Sequence, residues 1–125
     1  MQKGILDAFP DADLDVLVIW ISMMEADKYD AAEEAAGKFS DARVRQFYDP
    51  QRVAGRALAK RLGHSGEIAW DMYFFYPAGA IWQKLPPHPE AYAHQLRGGW
   101  ADQRRCFEDD RLRVELTEIM KRLFP

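Results

Sequence analysis

The chain carries one cysteine and three histidines in 125 residues, so nucleophilic or metal chemistry has few places to start. Cys106 stands in Gln103-Arg104-Arg105-Cys106-Phe107. Guanidinium groups beside a thiol favour the thiolate, which is the nucleophilic form. With His94 as base, Cys106 is the one candidate for covalent catalysis. The competing reading is an inert cysteine in a connecting segment, since free cysteines mostly behave as small hydrophobes. His88 and His94 are six residues apart across Pro89, and no H-E-x-x-H run is present. Zinc sites on helices prefer an i, i+4 pair. Asp11, Asp13 and Asp15 alternate as calcium-loop ligands do, but the glycine and distal glutamate of that loop are missing. Gly63-His64-Ser65-Gly66 lacks the lysine and the spacing of a phosphate-binding loop. No metal and no cofactor is therefore expected.

Partners are narrowed by charge. Lys and Arg number 17 against 20 Asp and Glu, for a net charge of −3. Nucleic-acid binders usually carry a basic excess. Arg52, Arg56 and Lys60 share one helical face, but no recognition motif accompanies them, so a solvated helix surface is the expectation. The longest apolar run is residues 16–21, far short of the roughly 20 residues that span a membrane. The N-terminal region holds Asp7, Asp11, Asp13 and Asp15 where a signal peptide would be apolar. A soluble, cytoplasmic chain without nucleic-acid or membrane partners is expected. At 48% apolar residues the chain can bury a core, and its length suits one domain.

The elements that must position these residues follow from periodicity. Residues 14–21 are a nearly continuous apolar run, the pattern of a strand buried on both faces of a parallel sheet. In residues 27–39, Tyr29, Ala32, Ala36 and Phe39 fall at helical spacing behind a capping Asp27. Residues 42–48 read as a second strand. Asp49-Pro50 then opens a helix over 51–62, with Asp49 as cap and Pro50 at its first position. Val53, Ala57, Leu58 and Leu62 are its expected buried side, and Gly63 its stop. Residues 68–76 read as a strand that turns at Pro77-Ala78-Gly79 and returns through Ala80-Ile81-Trp82, a hairpin. Pro86, Pro87 and Pro89 forbid regular structure after it. Residues 90–107 are expected to be a loop with one or two helical turns. A last helix over 110–124 carries the stripe Leu112, Leu116, Ile119, Met120 and Leu123. The order is β-α-β-α-β-β-α. It implies an α/β domain over 1–125, a four-stranded mixed sheet with helices on both faces, and an irregular insertion at about 83–107.

That order, with Val16-Leu17-Val18-Ile19-Trp20 and Tyr73-Phe74-Phe75-Tyr76-Pro77-Ala78-Gly79-Ala80, resembles the thioredoxin fold. The resemblance covers roughly residues 14–82 and 110–124. It implies a Cys-x-x-Cys at the start of the first helix and a cis-proline before the hairpin. Here Met23-Met24-Glu25-Ala26-Asp27-Lys28 stands at the first place, and Asp71 or Trp70 at the second. The redox pair is missing, so the resemblance implies a thioredoxin-like module without disulfide exchange.

Ligands of open α/β sheets sit at the carboxyl ends of the parallel strands. That rim would hold Ser22, Met23, Met24 and Glu25 after the first strand and Asp49 after the second, an acidic surface suited to a protein or peptide partner; Asp27 and Asp71 join them as candidates for binding a partner or small ligand. Trp82 and Trp100 bracket the proline-rich segment, and aromatic surfaces are enriched at interfaces. With His94, Trp82 completes the candidate binding residues. Three functions follow: a non-redox module binding a protein partner or small ligand; a thiol enzyme using Cys106 with His94; and a structural homodimer.

Overall fold

The computed structural model describes residues 5–21 and 41–124. The expected helix over 27–39 and the rim residues Met23, Met24, Glu25 and Asp27 lie outside them. Among the described residues no helix is long and apolar enough to cross a membrane.

β1 (Val16–Ile21) pairs in parallel with β2 (Val44–Asp49), in the register Val16 with Val44 through Ile21 with Asp49. Before β1, the chain from Ile5 to Leu14 is tied to the start of β2 by one side chain. The Arg43 guanidinium donates to the carbonyl oxygens of Leu6 (3.0 Å), Phe9 (2.8 Å) and Ala12 (3.0 Å), and to both carboxylate oxygens of Asp41. A planar fork of donors suits this, and charge-assisted bonds are stronger than neutral ones.

α1 (Val53–Arg61) follows β2. The Asp49 carboxylate accepts from the N–H groups of Val53 and Ala54 at 2.9 Å and of Gly55 at 3.3 Å, so it does cap the helix. It does so from three residues before the N-cap, which is Arg52 in the left-handed region (φ 61°), so the expected helix start is corrected: Pro50 lies in the turn before the helix and not at its first position. The buried face is also rotated from the expected one: Gly55, Leu58 and Ala59 point inward, whereas Val53 is exposed. The cause is Gly55. A Cβ there would lie 2.8 Å from Ile68 Cγ2 and 3.0 Å from the Ala69 oxygen, so only glycine lets α1 approach residues 68–69. The Gly55 carbonyl accepts from Ala69 N–H at 2.9 Å across that contact.

β3 (Met72–Phe75) pairs antiparallel with β4 (Ala91–His94). α2 (Asp109–Leu123) closes the fold, with Leu112, Leu116, Ile119 and Met120 buried as its periodicity predicts. Alternation along β3 divides the core. Tyr73 and Phe75, with Ala93 of β4, join Ile5, Leu112, Leu116 and Met120 on one side. Met72 and Phe74 join Leu58, Ala59, Ala69 and Trp100 on the other. Side chains of period 2 leave a strand on opposite faces, so one ribbon serves two clusters.

The expected four-stranded mixed sheet is corrected: among the described residues the strands form two separate two-stranded sheets, β1–β2 and β3–β4. The expected hairpin fails for a local reason. Its turn forms, with Gly79 at φ +83° and Ala80 N–H donating to the Pro77 oxygen at 3.3 Å. The returning residues Ala80, Ile81 and Trp82 nevertheless remain exposed and pair with no strand. The partner of β3 comes after the prolines, where Glu90 N–H meets the Phe75 oxygen at 2.7 Å and β4 begins. Residues 90–107, read as a loop, thus contain β4 and a 3-10 turn, Gln103–Arg105. β1 is not buried on both faces either: Val16 is buried, but Leu17 is 55% exposed.

Candidate functional site

The region with the most chemistry is the chain from β4 to the start of α2. His94, the last residue of β4, is fully buried. Its Nδ1 accepts from Leu96 N–H at 3.0 Å, and its Nε2 lies 2.7 Å from the Asp102 carbonyl oxygen. The pair of partners assigns the neutral Nε2–H tautomer, with Nε2 donating. The ring therefore ties the two ends of the loop 95–102 together. The Phe107 N–H donates to the His94 oxygen at 2.9 Å and brings the next segment alongside.

Inside that loop Gln103 does the same work from the other side. Its Oε1 accepts from Gly98 N–H at 2.8 Å, and its Nε2 donates to the carbonyls of Leu96 and Ala101, both at 2.9 Å. Asp102 anchors the 3-10 turn by accepting from Arg104 N–H and from the Arg104 side chain. Those bonds, the side-chain one first, hold the Asp102 carboxyl below the usual carboxylate range. Arg105 lies over the Tyr92 ring, 4.4 Å from its centroid, in cation–π geometry. Short polar links and small residues replace the hydrophobic packing that a strand or helix would supply.

Two clefts flank this loop. The larger, of about 750 Å³, is lined by Arg97, Cys106, Glu108, Asp110, Arg111 and Glu115 among others. Arg97 donates to Glu108 at 2.8 Å there, and both side chains are exposed. The smaller, of about 320 Å³, is lined by Trp70, Gln95, Leu96, Arg97, Gly99 and Trp100. Trp100 is set by its Nε1–H, which donates to the Ile68 oxygen at 3.2 Å, and by the His64 ring at 5.0 Å between centroids. The two clefts share Arg97.

The residues singled out from the sequence fall in separate places. Asp49 is buried under α1 and occupied by three N–H groups. Asp71 is exposed at φ +51°, with its carbonyl accepting from Gln95 N–H at 3.0 Å. Trp82 is exposed on the 76–90 connection, and Met23, Met24, Glu25 and Asp27 lie outside the described residues. Cys106 is half-buried on the larger cleft. His94 is its backbone neighbour through an isolated parallel bridge, but both ring nitrogens are spent on backbone groups. No acceptor remains on that ring for a thiol proton. Sequence reasoning passed over Trp70, Gln95 and Gln103 as site residues. Gln103 carries no periodic or motif signal, since its role exists only once the loop has closed around it. Compared with known protein families, with curated proteins and with solved structures, the chain matches none, so its site rests on its own residues and geometry.

Proposed function

We propose that the chain is a binding module that holds a partner or small ligand at the loop 95–102, without thiol chemistry. The observation that supports this is the use made of His94. The one histidine adjoining Cys106 is buried and bonded at both nitrogens to the backbone of that loop. A group so placed stiffens a surface, and a surface held rigid before binding loses less entropy when it binds. Native mass spectrometry of the protein purified gently from its own host tests the reading. A mass above that of one or two chains, released together with protection of the 95–102 amides from hydrogen exchange, is the expected result. A bare chain with unprotected amides at every concentration would overturn it.

A second reading keeps Cys106 as a nucleophile. In its favour, Cys106 lines the larger cleft together with Arg97 and Arg111, although Glu108, Asp109, Asp110 and Glu115 line it as well. Iodoacetamide labelling separates the two: an enzyme thiol reacts many-fold faster near neutral pH than the same cysteine in the urea-unfolded chain, and a structural thiol does not.

A further inference from the structure

The smaller cleft has a chemistry of its own. Backbone groups that bound it, and the Trp100 indole, are bonded within the chain. Trp100 Nε1–H donates to Ile68, Leu96 N–H to His94 Nδ1, Gln95 N–H to Asp71, and Gly99 N–H to the Leu96 oxygen. The Leu96 oxygen also accepts from Gln103. Arg97 directs its guanidinium to Glu108. The residues that line the space are Trp70, Gln95, Leu96, Arg97, Gly99 and Trp100, and their surface there is almost wholly apolar. An ion entering here would lose its hydration without gaining an opposite charge. The charge match is therefore with a neutral molecule. Aromatic rings prefer offset or edge-to-face contact with other rings, and both Trp70 and Trp100 line this space. At about 320 Å³ the space lies at the small end of ligand pockets, which begin at about 300 Å³.

We infer that the Trp70–Trp100 cleft binds a neutral aromatic molecule of one or two fused rings. The inference rests on the binding-module reading and gives its ligand class. The cleft is already formed, because Gln103 and His94 hold the loop that makes one wall.

The experiment is a titration of the full ¹⁵N-labelled chain with indole, followed through the four tryptophan Nε1–H signals. Saturable shifts of Trp70 and Trp100, with Trp20 and Trp82 still, are expected. The variant Trp70→Ala should lose the shifts, while Trp82→Ala keeps them. Because Trp100 also packs against Leu58 and Ala69, Trp70 is the safer position to change. Equal drift of all four signals, or no shift, would overturn the inference. So would tighter binding of indole-3-acetate than of indole, since that anion would then be drawing on Arg97. Saturation by a tryptophan-bearing peptide but not by free indole would also overturn it and assign the cleft to a protein side chain. The larger claim fails separately: if indole does nothing and the host-purified chain still carries a bound mass at residues 95–102, only the ligand class is wrong.

Discussion

The two sheets among the described residues have two strands each, six residues long in one and four in the other, and opposite characters. β1 and β2 hold the most apolar run of the chain, yet Leu17 and Phe47 are 55% and 53% exposed. β4 is Ala-Tyr-Ala-His, and Ala93 and His94 are 0% exposed. Burial here follows what packs on each face rather than how apolar the strand is. β3–β4 has a cluster on both sides, built from α2 and the 5–14 segment on one and from α1 and Trp100 on the other. Small alanines suit such a ribbon because they let neighbouring layers come close. In β1–β2 the two ends are covered, the amino end at buried Val16 beside the Arg43 clamp and the carboxyl end where Ile21 meets α1 near Gly55, while Leu17 and Phe47 stay exposed.

The difference can be attacked at the ribbon first. His94→Ala should cost the most, because it empties a filled site, leaves the buried Leu96 N–H without its partner and removes one of the two donors on the Asp102 carbonyl. We expect a loss of roughly 3–5 kcal/mol from those terms together, read as a lower urea midpoint. A loss below about 1 kcal/mol, as for an ordinary surface change, would remove His94 from the centre of the fold. Next is Gly55→Ala. Alanine favours a helix over glycine by about 1 kcal/mol. Here, however, its Cβ would stand 3.0 Å from the Ala69 oxygen and 3.1 Å from Ile21 Cδ1. Overpacking of this kind costs about 1–3 kcal/mol, so a net fall in Tm is expected. A rise in Tm would mean that α1 can retreat from residues 68–69 without loss.

Phe47→Ser sharpens the other half of the comparison. For a side chain in solvent the change should stay within about 0.5 kcal/mol in either direction. A loss of about 2 kcal/mol that grows with protein concentration would reveal a covered face, with a second copy of the chain as the cover. The smallest effect belongs to the clamp that joins the N-terminal segment to β2. The Arg43 side chain, then the Arg43 backbone N–H, lowers the Asp41 carboxyl from 3.8 to about 2. Its folded value lies below its unfolded one, so the unfolded chain takes up the proton first as pH falls. The stabilisation is full above about pH 4 and disappears as pH drops toward 2. Asp41→Asn should therefore flatten the acid limb of the stability curve between those limits and leave the neutral region nearly parallel. An unchanged acid limb would show that the pair contributes nothing.

Local signals in the chain carried several elements directly. A run of β-branched and other large apolar residues made β1, the 3–4 spacing of Leu112, Leu116, Ile119 and Met120 made α2, and the Asp49 carboxylate took up the first N–H groups of α1 across the Arg52 turn. Each of these rests on forces acting within a few residues. The pairing of strands does not. Ala80-Ile81-Trp82 had the turn, the apolar residues and the closeness to partner β3, and lost to Ala91–His94 across four prolines. That choice is made by what lies behind the strand: α2 and the 5–14 segment accept Ala93, and the buried His94 ring binds the loop that follows. The candidate site was hidden for the same reason. Cys106 and His94 could be read as a dyad from their types, but hydrogen bonds to Leu96 and Asp102 turned the histidine into a brace. Trp70 and Trp100, thirty residues apart, became the walls of one cleft. Residue type and spacing determined α1, α2 and the parallel pair; only tertiary packing decided the partner of β3, the rotation of α1 and the location of the clefts, because those depend on contacts between segments that the chain order does not bring together.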